Sequence, residues 1–195
     1  MLVGTPTVFL RTTGCNLRCS YCDTTYAYTK GTELSIPKII ENMKKFPCSY
    51  VCITGGEPLL QKDLLKLVSI LLQKNYTICL ETNGSLPIQH FTRKKRVMIS
   101  LDIKCPSSGM HERMILQNIS ALSNHDQLKF IMKNKKDYEY AKTIVQTYKP
   151  KCTVFFQPVW GSSQKRLATW ILHDRLHVRL GFQLHKVLWG ARRGV

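Results

Sequence analysis

Acidic residues are scarce in this chain. Twelve Asp and Glu stand against 29 Lys and Arg, a formal charge of +17 over 195 residues. That imbalance implies attraction to polyanions or acidic small molecules, without saying which. No apolar run approaches the roughly 18 residues that a membrane-spanning helix needs. The first residues, Met1-Leu2-Val3-Gly4-Thr5-Pro6, lack the charged-then-apolar layout of a secretory signal, so a cytoplasmic protein is expected. There is no internal repeat and no low-complexity linker. Eight cysteines are too thinly spread for a disulfide scaffold; free thiols or metal ligands are the use expected of them. A hydrophobic share of 44% excludes a disordered basic tail. Residues 1–195 fit a single domain with its own core.

Short β-rich runs alternate with amphipathic helices. The runs Thr7–Leu10, Tyr50–Ile53, Thr77–Leu80, Val97–Leu101, Gln127–Met132 and Thr153–Phe156 read as strands. Ser35 reads as an N-cap before Ile36, Ile39, Ile40 and Met43, which share one helical face. Further helices are expected from Leu60 on, through Met114–Leu122, over Ala141–Tyr148 and Leu167–Leu172, and from Gln183 to Trp189. Strand–helix alternation means parallel βαβ units. About six mainly parallel strands are fewer than a closed barrel needs, so the expected fold is α/β, an open, partial (β/α) barrel. Functional residues should then gather at the C-terminal ends of the strands.

Chemistry-bearing motifs stand there. Cys15, Cys19 and Cys22 have the spacing C-x3-C-x2-C, in a loop after the first strand. Three thiolates so placed can fix three corners of a cubane [4Fe–4S] cluster and leave one iron for a ligand that is not protein; full protein ligation would take four cysteines. A structural zinc site also wants four ligands, and Cys48 and Cys52 lack the spacing to complete one. Thr54-Gly55-Gly56-Glu57-Pro58 follows the second strand. Glycines there allow close backbone approach to a ligand, and Glu57 could pair with an ammonium group. Glu81-Thr82-Asn83-Gly84 ends the third strand. On the fourth, Ser100, Asp102 and Lys104 alternate and so point the same way, offering polar groups to a ribose or a carboxylate. Gln157-Pro158-Val159-Trp160-Gly161 follows the sixth, where an aromatic could flank a purine.

The cysteine triplet resembles the signature of the radical S-adenosylmethionine (SAM) superfamily. Taken with C-D-T at residues 22–24, the segment Asp102 to Gly109 and the Q-L-H-K run from Gln183, the chain resembles the 7-carboxy-7-deazaguanine synthase family over nearly its whole length. The resemblance implies a lyase that converts 6-carboxy-5,6,7,8-tetrahydropterin to 7-carboxy-7-deazaguanine with loss of ammonia, on the route to queuosine and archaeosine. It implies a [4Fe–4S] cluster on Cys15, Cys19 and Cys22, and SAM on its open iron as a regenerated radical source. It implies magnesium on Thr24. SAM contacts would come from Tyr21, Cys22, Asp23, Gly56, Glu57, Ser100, Asp102, Ile103, Lys104, Gln157, Pro158, Val159 and Trp160. Arg11, Thr54 and the carboxylate of Val195 would meet the substrate. A homodimer is implied, with an electron donor such as flavodoxin or ferredoxin, no membrane and no direct nucleic acid. Family members carry a Q-G-E-G segment ahead of the point matching Gly4, so this chain is expected to be short at its front, with turnover depending on that segment.

Two other functions fit parts of the sequence. A glycyl-radical activating enzyme would share the triplet, though not C-D-T or the C-P-S-S-G segment. A basic RNA-binding module with a structural metal would use the charge, Tyr26, Tyr28 and the run Arg93–Arg96, and would show steep salt dependence.

Overall fold

The computed structural model describes residues 2–190 and residue 192. Seven parallel strands run in sequential order: β1 (Val8–Thr12), β2 (Tyr50–Gly55), β3 (Thr77–Thr82), β4 (Val97–Lys104), β5 (Gln127–Met132), β6 (Thr153–Pro158) and β7 (Arg179–Leu180). Among the described residues β1 and β7 do not pair, so the sheet is open. Six of these strands match the sequence reading. The seventh, only two residues long, was not expected, because two residues carry no period to read.

Among the described residues, six α-helices connect or follow the strands: α1 (Ile36–Met43), α2 (Leu64–Gln73), α3 (Asn118–Ala121), α4 (Lys135–Tyr148), α5 (Gln164–His173) and α6 (Leu184–Trp189). Ser35, Asn134 and Ser163 cap α1, α4 and α5, their side chains accepting from the N–H groups of Lys38, Asp137 and Arg166. The helix expected over Met114–Leu122 shrinks to α3. Met114 is extended, its sulfur accepts from the Lys104 N–H, and the Ile115 N–H is tied to the Gly84 carbonyl. Those two tertiary contacts outweigh the apolar period of the segment.

Alternation along the strands sorts the side chains onto two faces. Val51, Ile53, Ile78, Leu80, Ile99, Leu101, Ile103, Leu128, Phe130, Val154 and Phe156 lie on one face. They form a single core with Ile40 and Met43 of α1, Leu64, Leu67 and Leu71 of α2, Tyr138 and Ala141 of α4, and Leu167 of α5. Tyr138 meets Phe156 edge-on at 5.8 Å, and its hydroxyl donates to the Trp170 carbonyl and to Asp174. The opposite face carries Cys52, Thr54, Cys79, Glu81, Ser100, Asp102, Gln127 and Lys129. With α1, α2, α4 and α5 on one side, this polar face is free to line a site. Cys52, Cys79, Cys105 and Cys152 are buried free thiols, and Cys48 donates to the Pro6 carbonyl.

Candidate functional site

The loop carrying the cysteines leaves β1 at Thr12 and is held from several sides. Gly56 N–H donates to the Thr12 carbonyl and Glu57 N–H to the Gly14 carbonyl, at 3.1 and 2.8 Å. A Cβ on Gly55 would strike Thr12, and one on Gly56 would strike the Gly14 carbonyl. The glycine pair therefore serves close approach to the loop's own backbone. From the third strand end, Asn83 donates to Asn16 Oδ1 at 3.1 Å and leans on Cys15 Sγ at 3.9 Å, while Asn16 donates to Ser85. From the far side, Ser20 Oγ donates to the Ser107 carbonyl at 2.6 Å and Ser20 N–H to the Ser108 carbonyl. Asp137, fully buried at the start of α4, in turn accepts from the N–H groups of Ser107 and Lys133, both at 2.8 Å. Tyr21 donates to the Ile131 carbonyl, and burial pushes its phenol well above the usual range. Leu17, 1% exposed, plugs the loop into the protein.

Cys15, Cys19 and Cys22 are free and half-buried on this loop. Burial raises the Cys19 thiol, the Lys104 ammonium pulls it down, and the neighbouring Cys22 and Cys15 push it up. Burial raises the Tyr28 phenol, and Cys22, Cys19 and Cys15 push it the same way. Among the described residues, no three His, Cys, Asp or Glu close on a point that one ion could occupy. A cubane does not need that, because each thiolate takes a different iron. The donor set thus fits three corners of a [4Fe–4S] cluster.

Below the loop, the sheet's polar face forms rows. Arg11 is the register partner of Thr54, and Glu81, Ser100, Gln127 and Thr153 are register partners in turn, the two sets meeting where β2 and β3 pairing ends. Thr54 donates to Glu81 Oε2 at 3.0 Å. The next row sets Asp102 beside Lys129, with Lys104 beyond. Lys104 Nζ lies 3.2 Å from Asp102 Oδ2; Lys129 Nζ lies 3.1 Å from Asp102 Oδ1 and 3.3 Å from Glu81 Oε1. Burial alone would raise the Asp102 carboxyl; the charges of Lys129 and Lys104 outweigh it and hold the group below the usual range. Burial likewise opposes the charge of Lys129, and Asp102 and Glu81 more than restore it, raising its pKa.

Three sequence expectations change here. Glu57, read as a partner for an ammonium, is fully buried. Its oxygens accept from Thr82 Oγ1 at 2.8 Å and from the N–H groups of Asn83 and Leu59 at 2.7 and 3.0 Å. It fixes the strand-end turn, while burial raises its carboxyl against those donors. Ser100 is also fully buried, its hydroxyl accepting from Gln127 at 2.7 Å. Ile103 points into the core, so only its backbone faces the site.

The far rim is built by Gln157 to Trp160 and by α6. A cleft of about 530 Å3 is lined by Pro158 to Lys165 with Phe182 and Gln183. Gln157 packs against Gly181, and Trp160 is 45% exposed. Asp23, between Cys22 and Thr24, accepts from Lys186 at 2.6 Å, Gln183 at 2.8 Å and Thr24 at 2.9 Å. Burial would raise its carboxyl, but these donors bring it down to about 2. His185 feels the charges of Lys186, Asp23, Arg11 and Glu81, and burial lowers its pKa. Arg11 sits 5.9 Å from the Tyr26 ring. Val195 lies outside the described residues. Sequence reasoning passed over Lys129, Asp137 and the Asp23–Lys186 pair, whose partners emerge only from strand register and chain folding.

A parallel, open strand–helix sheet with three thiols on the loop after its first strand defines a radical SAM protein. The family model described as "Radical SAM superfamily" matches residues 9–153. A 7-carboxy-7-deazaguanine synthase of Thermoplasma acidophilum is 35% identical over 192 residues, covering 98% of this chain and 92% of the relative. One of Chlorobaculum tepidum is 39% identical over 199 residues, covering 98% and 90%. The chain belongs to the 7-carboxy-7-deazaguanine synthase family of radical SAM proteins, whose cofactors are a [4Fe–4S] cluster and SAM. Among solved structures, QueE from Escherichia coli superposes with a TM-score of 0.70 at 20% identity, over 92% of this chain and 87% of that one. Streptococcus suis SuiB bound to SAM gives 0.64 at 12%, over 91% and 50%. At those identities the two show the shared fold.

Proposed function

We propose that this chain converts 6-carboxy-5,6,7,8-tetrahydropterin to 7-carboxy-7-deazaguanine with release of ammonia, a step toward 7-deazapurine nucleosides. The carrying observation is that the cysteine loop and the Arg11–Thr54–Glu81 row share one mouth of the sheet. A radical source and a surface suited to an acidic, hydrogen-bonding heterocycle are thereby juxtaposed. A reduced cluster held by Cys15, Cys19 and Cys22 would supply the electron that makes SAM a radical source.

The chain's own residues hold and shield. Cys15, Cys19 and Cys22 hold the cluster, and the contacts of Asn83, Ser20 and Glu57 keep their loop in place. Asp102 and Lys104 on one side, with Tyr21, Asp23, the Gly56 backbone and Gln157 to Trp160, cradle SAM. Arg11 offers a guanidinium fork to the substrate carboxylate or the pterin edge, and Thr54 a hydroxyl. Thr24 supplies a hydroxyl to a magnesium ion that keeps much of its hydration. The whole chain acts as one cytoplasmic domain, as a homodimer, fed by a flavodoxin- or ferredoxin-like donor. No helix among the described residues is long and apolar enough to cross a membrane.

The test is anaerobic reconstitution with iron and sulfide, then incubation with dithionite, SAM, magnesium and the carboxypterin. The expected result is a magnesium-dependent product with the mass of 7-carboxy-7-deazaguanine and equimolar ammonia. SAM cleavage without that product overturns the reading.

A further inference from the structure

The polar face holds one group that no reading above puts to use. Lys129 is in the middle of the sheet on β5, only 17% exposed, with its ammonium between two carboxylates that belong to different walls. Glu81, bonded to Thr54, belongs to the wall proposed for the substrate. Asp102, paired with Lys104, belongs to the wall proposed for SAM. Among the described residues, Asp102 Oδ1 is buried and has no hydrogen bond; the Lys129 charge 3.1 Å away is what balances it. The four groups are two carboxylates and two ammoniums, in a continuous run from β3 to β5. A buried ammonium is costly unless so paired, and removing it would leave Glu81 and Asp102 as like charges without their bridge.

We infer that Lys129 is a positioning residue, bridging Glu81 and Asp102 so that the substrate wall and the SAM wall keep a fixed spacing. This rests on the proposed function for the names of the two walls. Radical transfer between two bound molecules is sensitive to small misplacement. Loss of the bridge should therefore show as uncoupling rather than as loss of the cluster.

In reconstituted holoenzyme, Lys129→Met should keep its iron content and the SAM-induced change in the EPR signal of the reduced cluster. The ratio of 5′-deoxyadenosine to deazaguanine product should rise about tenfold, with KM for the carboxypterin raised. Lys129→Arg, which keeps the charge, should return the ratio to within about threefold of wild type. An unchanged ratio in Lys129→Met, or Lys129→Arg as uncoupled as Lys129→Met, overturns the inference. Should Lys129→Met not fold, a double-mutant cycle on SAM affinity asks the same question with Lys129 in place. Glu81→Gln, on the other wall, should weaken SAM binding about threefold, and its effect should not multiply with that of Asp102→Asn. SAM affinity untouched by Glu81→Gln, or fully multiplicative losses, overturns it. Wild-type enzyme that makes no product would sink the substrate reading and leave the SAM-binding cycle to decide on Lys129.

Discussion

Replacing Glu57 by Ala would strand three donors: the Thr82 hydroxyl and the N–H groups of Asn83 and Leu59. Two of these lie in the turn that reaches the cysteine loop through Asn83 and Asn16. Orphaned buried donors cost on the order of 1–3 kcal/mol each, so Glu57→Ala should lose about 3 kcal/mol in urea unfolding. It should also loosen the cluster, read as iron lost to a chelator faster than from wild type. A loss below about 1 kcal/mol would show that the carboxylate carries no such network. At this scale the sequence displayed the residues whose identity is their chemistry. Cys15, Cys19, Cys22 and the polar strand ends could be named from spacing. Glu57 could be named but not given its work, because its partners come from β3. Lys129 could not be named at all. In Gln127–Met132 a single lysine reads as an ordinary solvent-facing strand position, and only its register with Asp102 makes it part of a charge network.

At the scale of elements, α6 is attached to the cysteine loop through polar contacts, by Lys186 and Gln183 on Asp23. Its Val187, Leu188 and Trp189 are more than half exposed and offer it little burial. Asp23→Asn should therefore free the helix: amide exchange over 184–190 should accelerate while that of β3 and β4 stays unchanged. Lys186→Met should act the same way, and raised salt should act in the same direction on wild type. Exchange of α6 unchanged in both variants would contradict this attachment. Helices with a buried stripe and a capping residue, such as α1 and α5, were legible in the sequence. α3 and β7 were not. The first is cut down by contacts to Gly84 and Lys104, and the second is two residues added to a sheet edge, where pairing with β6 outweighs local preference.

For the whole molecule, the alternation of strands and helices was enough to read a parallel, open barrel, because strand–helix repeats connect neighbouring strands in parallel. Stability against pH follows from the paired carboxylates. Asp102 is held below the usual range, as described, and Asp174 is held low by hydrogen bonds from Lys142, His173 and Tyr138. A carboxyl with a depressed folded pKa adds stability that is fully present above its unfolded value and is lost as pH falls toward the folded one. Through these two carboxyls urea midpoints should fall steeply below about pH 4, while His185, with its lowered pKa, adds a shallower decline as pH falls below about 6.5. Asp174→Asn should reduce that acid slope. An acid limb below about pH 4 that Asp174→Asn leaves unchanged would contradict these pairings.

The cysteine loop is the part of the molecule on which the rest of the account depends. It is tested most directly by iron content and EPR of anaerobically reconstituted protein, wild type beside a Cys15→Ala/Cys19→Ala/Cys22→Ala variant. Wild type should hold about four irons per chain and give a reduced-cluster signal that shifts when SAM is added. The variant should hold none and leave SAM intact under dithionite. A variant that retains its iron and still cleaves SAM would contradict the account.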